Sequence, residues 1–202
     1  SYWAIHSVPP TYTMGYIKEG QVLTVEELLN ITMIASANDA AYVLAEYIAN
    51  LDNPDYLKDS SAEAKASFEN SIAEFSEMMN NKAKEIGCLD TNFVNPNGIH
   101  NENHYSTAYD LPKNAVNNHT VYRSTIELLR SDSKYYYEYA NGLKTGYTDP
   151  AGYCIIATAK KDDMNLLAVV LHGRYLEDGT AARESDCIKL FNYGFENYTS
   201  TA

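Results

Sequence analysis

Apolar positions recur at helical spacing in the first half of the chain and crowd into strand-like runs in the second. After Thr24-Val25-Glu26-Glu27, the residues Leu28, Leu29, Thr32 and Ile34 share one helical face. A threonine followed three residues later by a glutamate is a capping box, so the pattern predicts an amphipathic helix starting there. That helix runs out at Ser36-Ala37-Asn38, and Asp39 opens an alanine-rich helix over 40–48. Two helices thus meet at a short polar corner. Ser60 to Glu63 reads as a further capping box before a long helix whose stripe is Phe68, Ile72, Phe75, Met79 and Ala83, with Gly87 as its stop. Asn95-Pro96-Asn97-Gly98 is a turn signal. From there to about residue 118 the chain looks irregular, with a helical start at 107–111 cut off by Pro112.

The apolar pattern then changes period. Two runs, 142–160 and 164–172, are joined by Lys161-Asp162-Asp163 and read as a hairpin. A helix over 181–193 closes the chain, with Ile188, Leu190 and Phe191 apolar. Helices, then an antiparallel sheet, then a helix against it make an α+β architecture. The predicted layout is one domain over 1–202, with a helical lobe at about 24–110 and a sheet-plus-C-terminal-helix part at about 120–200.

Composition narrows the function more than the fold. The formal net charge is −12, with fifteen basic residues and no lysine–arginine cluster. Nucleic acid needs a basic stripe and an anionic membrane surface needs a polybasic segment, so neither partner is expected. An anionic ligand would have to be held by a few placed cations. Cys88, Cys154 and Cys187 are widely spaced and make neither a disulfide framework nor a metal knuckle. Cys154 and Cys187 sit in apolar patterns and read as core thiols. The longest apolar run, 166–171, is too short to cross a bilayer.

One stretch raises a chemical question. In "NGLKTGYTDPAGYCIIATA", residues 141–159, Lys144, Thr145 and Gly146 open a strand. Lysine and glycine are poor strand residues. Lys144 could simply guard an edge against aggregation. Alternatively, a cation, a hydroxyl and an unobstructed backbone form a binding edge for an extended anionic ligand.

Ser36-x-Asn38 and Lys144-Thr145-Gly146 together resemble the second and third motifs of the penicillin-binding proteins and serine β-lactamases, whose first motif is Ser-x-x-Lys. The likeness extends along "GQVLTVEELLNITMIASANDAAYVLAEYI", "NPNGIHNENHYSTAYDL", "GLKTGYTDPAGYCIIATAKKDDMNLLAVVLHG" and "ARESDCIKLFNYGF". These look like the low-molecular-weight D-alanyl-D-alanine carboxypeptidases, in collinear order over most of the chain. The resemblance implies a β-lactamase/transpeptidase-like fold and a serine-type hydrolase that needs no cofactor or metal. Its substrate would be a peptidoglycan stem peptide ending in D-Ala-D-Ala, and β-lactams would bind. The setting would be extracytoplasmic, at the cell envelope or secreted.

It also implies roles. Ser36, Asn38 and Lys144 would be catalytic, with Ser36 relaying a proton toward the leaving amine, Lys144 assisting, and Asn38 holding the peptide amide. Thr145 and Arg183 would hold the terminal carboxylate, Gly146 would leave room for strand pairing, and the Tyr147 backbone N–H would form half of an oxyanion hole. On this resemblance the corner and the strand start are expected to converge on a single cleft. Helix capping would also explain Ser36 and Asn38, without any catalytic role.

Two departures stand out. The only Ser-x-x-Lys is Ser131-Asp132-Ser133-Lys134, in a tyrosine-rich connector where the family has no nucleophile, and it reads as a solvated loop. The family's nucleophile would lie further upstream of Ser36 than this chain reaches, so the chain reads as a truncated catalytic domain without turnover. At Leu111-Pro112 related chains carry a further helical stretch. Two rival readings share the same residues: a non-catalytic stem-peptide binding module and a serine β-lactamase-like hydrolase. Apolar surface exposed by such a truncation would favour a homodimer. His100 and His104 flank Glu102 without the order of a zinc helix, and Tyr135-Tyr136-Tyr137 reads as packing at the sheet edge.

Overall fold

The computed structural model describes residues 1–114 and 126–199. The chain divides into two compact units, Ser1–Tyr105 and Ser106–Ala202.

The first unit is helical. A short α1 (Tyr2–His6) precedes α2 (Val25–Ile34), α3 (Asn38–Ala49) and α4 (Ala62–Glu85). The capping box predicted for α2 is present, with the Thr24 side chain accepting from the Glu27 N–H while Glu27 accepts from the Thr24 N–H. For α4 the cap lies one residue later than expected. Ser61, not Ser60, accepts the N–H of Ala64. Phe68 and Ala83 are buried as predicted, but the most buried line along α4 also takes in Ser71 and Ser76. Their hydroxyls stay satisfied by donating back to the carbonyls of Ser67 and Ile72, which lets a polar residue occupy a buried face. Gly87, past the end of α4, has φ +82°. Leu28, Ala37, Ala40 and Leu44 make a small core between α2 and α3, and Tyr42 meets Phe68 edge-to-face at 5.4 Å where α3 packs on α4. Burying a side chain the size of Phe68 contributes about 2–3 kcal/mol. The Asn95 turn forms as expected, its side chain accepting from the Gly98 N–H and donating to the Ile99 carbonyl.

The second unit contains α5 (Leu111–Asn114), a 3-10 turn (Glu127–Leu129), the strands β1 (Ala140–Thr148), β2 (Gly152–Lys161) and β3 (Met164–Gly173), and α6 (Arg183–Asn197). The helical start expected to end at Pro112 instead begins at Leu111, with Pro112 in the first turn, where the missing N–H costs nothing. The first long apolar run is two strands, split by a turn at 149–151, so the predicted hairpin becomes a three-stranded antiparallel sheet in the order β1-β2-β3. Ile155, Ala157 and Ala159 alternate inward on β2. With Ala168, Cys187, Phe191, Ile126 and Leu128 they form the core under α6. Gly194 lets the helix come this close, because a Cβ there would stand 2.5 Å from Leu166 Cδ1. Cys187 lies in this core as predicted, whereas Cys154 is only half-buried and donates to the Ala151 carbonyl at 3.4 Å. Of the tyrosines read as packing at the sheet edge, Tyr137 stacks on Phe191 of α6 at 5.7 Å and donates to Asn192, whereas Tyr136 is exposed.

Candidate active site

In the first unit, the polar corner between α2 and α3 is built by Ser36, Ala37, Asn38 and Asp39. Ala35 closes α2, and Ser36 then takes a left-handed conformation, φ +56°. Such a conformation is rare for a residue with a Cβ and costs on the order of 1 kcal/mol. The N-cap of α3 is Ala37, which has no capping side chain, so Asn38, the first residue of the helix, is not its cap. Asn38 donates from both its backbone N–H (3.0 Å) and its Nδ2 (2.8 Å) to the carbonyl of Thr13. That leaves its Oδ1 as the end able to accept.

Asp39 holds the corner in place. It is fully buried, and its carboxylate accepts from the N–H groups of Gly15 (2.7 Å), Ile17 (3.1 Å) and Ala40 (3.0 Å). A carboxylate at a helix N-terminus is favourably placed, and here it also laces the 13–17 strap onto the corner. Gly15 is required by close approach, since a Cβ there would sit 2.6 Å from Ile31 Cγ2. The strap was not foreseen. Its only sequence signal is the acidic residue in the first turn of α3, whose partners lie 22 and 24 residues upstream.

In the second unit, Lys144, Thr145, Gly146 and Tyr147 lie on β1, which pairs with β2 on one side and, among the described residues, with no strand on the other. Strand alternation puts Lys144 and Gly146 on one face and Thr145 and Tyr147 on the other. Gly146 is exposed, and a Cβ there would meet nothing within 4 Å. The glycine is therefore not demanded by its own fold. Lys144 Nζ turns back to donate to the Thr145 carbonyl at 2.8 Å. Burial, and secondarily the neighbouring Arg183 cation, hold its ammonium pKa below the ordinary lysine value.

Arg183 opens α6 and reaches this strand. Its Nε donates to Glu184 at 2.8 Å, in a pair whose carboxylate is nearly inaccessible. Its Nη1 makes long contacts to the carbonyls of Gly146 (3.4 Å) and Cys154 (3.5 Å). The structure thus gathers Lys144, Thr145, Gly146, Tyr147 and Arg183 at one end of β1, while Ser36 and Asn38 are gathered by the strap of the first unit. Sequence reasoning missed Glu184, which orients the guanidinium. Its signal was faint, an acid in the first turn of a helix.

A sequence profile of the family described as D-alanyl-D-alanine carboxypeptidase, peptidase family S11, matches residues 3–174. The chain belongs to that family. It is 32% identical over 201 residues to the D-alanyl-D-alanine carboxypeptidase DacF of Bacillus subtilis, covering 91% of this chain and 46% of DacF. A Streptomyces D-alanyl-D-alanine carboxypeptidase is 30% identical over 211 residues, covering 91% of this chain and 65% of the relative. Among solved structures, penicillin binding protein 6B from Escherichia coli matches with a TM-score of 0.72 at 26% identity, over 98% of this chain and 61% of that one. The Streptomyces K15 DD-transpeptidase matches at 0.66 and 28%, over 92% and 72%. The α+β fold of the family is therefore established, and the chain spans about half the length of DacF.

The other sequence candidates are engaged in contacts of their own. Ser131 to Lys134 is a surface turn, not a helix that would align serine and lysine. Ser133 Oγ donates to Glu127 at 3.2 Å, and Lys134 pairs with Asp178 at 2.8 Å. His104 accepts from the Val94 N–H at 3.3 Å and packs edge-to-face on Phe93, and burial lowers its pKa. The departure expected at Leu111-Pro112 adjoins residues 115–125, which lie outside the described residues. No described helix is long and apolar enough to cross a membrane.

Proposed function

We propose that this chain is the substrate-gripping part of a serine-type D-Ala-D-Ala carboxypeptidase that acts on peptidoglycan stem peptides outside the cytoplasmic membrane and binds β-lactams. The observation that carries the reading is the β1 edge, where Gly146 stands open with a partly buried lysine on its own strand and an arginine beside it. An extended peptide adds to such an edge by main-chain hydrogen bonds, and the glycine leaves its backbone reachable. The Thr145 hydroxyl and Arg183 meet the terminal carboxylate, with Arg183 oriented by Glu184. The Tyr147 N–H stabilises the oxyanion.

Once a family nucleophile attacks, Ser36 is suited to pass a proton toward the departing D-alanine, and Asn38 to accept from the peptide amide through Oδ1 while its Nδ2 stays on Thr13. A lysine whose pKa is lowered reaches its neutral form at a lower pH than a free amine, which suits Lys144 to assist that proton transfer. In this reading the 1–202 chain is part of one catalytic domain of the family.

The family attack comes from a serine in Ser-x-x-Lys. The single such tetrad here is a paired surface turn, so these 202 residues by themselves grip the peptide without cleaving it. Incubation with a fluorescent penicillin tests this. No covalent label is expected, and a labelled band would mean that a serine in this chain is a nucleophile. A diacyl-Lys-D-Ala-D-Ala peptide should bind saturably and lose affinity on Arg183→Gln. Equal affinity in the variant would remove the carboxylate role.

A further inference from the structure

Beside the β1 edge the fold assembles a second feature that no sequence run displays. Tyr147, Tyr153 and Tyr175 come from β1, β2 and the loop after β3, and their rings form a row. Tyr147 and Tyr153 stand directly across the β1–β2 ladder with centroids 4.6 Å apart, and Tyr153 and Tyr175 follow at 5.5 Å. The rings are tilted by 37° and 31° and overlap in an offset stack rather than packing edge-to-face, so the outer rings, Tyr147 and Tyr175, offer the exposed faces. The outer two are 52% and 60% exposed, so the row faces solvent.

The row is braced from beneath and from its end. Arg183 lies 5.6 Å from the Tyr153 ring centroid while bound to Glu184. Tyr175 pairs with Ala181 in an isolated bridge, and Leu176 donates to the Thr180 carbonyl at 2.7 Å. The Tyr147 hydroxyl donates to Asp149 at 2.8 Å, which puts a carboxylate at the rim.

We propose that this tyrosine row is a stacking platform for a neutral pyranose, namely the amino-sugar strand that carries the stem peptide. A sugar ring has an apolar C–H face and a rim of hydroxyls. Its slightly positive C–H groups complement the negative face of a phenol, and its hydroxyls find acceptors in Asp149 and the tyrosine oxygens. Asp149 disfavours an anionic group at the Tyr147 end of the row, while Arg183 at Tyr153 stays with the terminal carboxylate. Two-torsion tyrosines held by a ladder and a bridge lose little freedom on binding, so the platform is preorganised. The inference rests on the proposed peptidoglycan reading only for naming an amino sugar as the occupant.

The test uses the full chain with isotope-labelled tyrosine rings, titrated with a peptide-free β-1,4 tetramer of N-acetylglucosamine. The three ring signals should shift saturably. Tyr175→Ala should weaken binding by about tenfold, as expected for loss of one stacking surface. Tyr175→Phe keeps the ring and should retain most of the affinity, which separates stacking from misfolding. Tyr198→Ala, an exposed tyrosine outside the row, should leave binding unchanged. No saturable shift up to the solubility limit, or undiminished binding by Tyr175→Ala, overturns the platform. The same chain is titrated in parallel with the D-Ala-D-Ala peptide. Peptide binding without saccharide binding sinks the platform and leaves the proposed function standing; saccharide binding alone does the reverse.

Discussion

Replacing Asp39 is the most direct probe of how the Ser36–Asn38 corner is held. Its carboxylate takes three backbone N–H donors, two of them on the strap 22 and 24 residues upstream. Hydrogen bonds to a charged group contribute about 1.5–3 kcal/mol each, and a donor left buried without a partner costs about 1–3 kcal/mol. The Ala40 N–H sits at a helix start and can be solvated more easily than the strap donors. Counting mainly Gly15 and Ile17, Asp39→Ala should destabilise the chain by about 3–5 kcal/mol, a large share of the 5–15 kcal/mol typical of a domain. Asp39→Asn keeps the shape and one acceptor oxygen, and should cost roughly half as much. Urea unfolding gives the totals, and amide exchange at Gly15 and Ile17 reports whether the loss is local. If Asp39→Ala lies within about 1 kcal/mol of the parent, or leaves the exchange of those two amides unchanged, the strap is not held by this carboxylate.

Three further outcomes are expected. Lys144 should titrate below its ordinary 10.5, and Arg183→Gln should raise it only part of the way back, because burial is the larger cause; NMR titration of the side-chain amine reads both, and full recovery in the variant would reverse that order. The sign for stability follows. The unfolded chain binds the proton more tightly, so the penalty on the folded state is relieved as pH rises from the native value toward 10.5. Gly146→Val should change stability by no more than about 1 kcal/mol, since its Cβ meets nothing within 4 Å, yet should block peptide pairing; unimpaired peptide binding would show that the edge is not the docking strand. Of the three thiols, only half-buried Cys154 should react readily with an aromatic disulfide reagent in the native state. Cys187 is fully buried and pushed up to about 12 by burial and then by Glu184 and Asp186, so its rapid reaction would contradict the core under α6.

Much of the secondary structure was legible because it follows local rules. The capping box at Thr24 and the stripe from Phe68 to Ala83 each depend on residues within a few turns of one another. The misses were also local in kind. Ser60 and Ser61 are both able to cap, and Ser61 is the one that accepts the Ala64 N–H. The run 142–160 reads as one arm of a hairpin, and the turn at 149–151 makes it two strands. The buried serines of α4 looked polar because a hydroxyl bonding to its own helix leaves no trace in a hydrophobicity pattern.

The sequence by itself determined the family, through motifs lying in collinear order, and with it the chemical types at positions 36, 38, 144–147 and 183. Only the tertiary structure decided what holds them. Asp39 reaches back to Gly15 and Ile17, Glu184 turns Arg183 toward the Gly146 carbonyl, and three tyrosines distant along the chain line up in one row. The physical reason is range. Periodicity and capping act over a few residues, whereas a buried carboxylate or a ring stack is specified by partners that become neighbours only after the chain has folded.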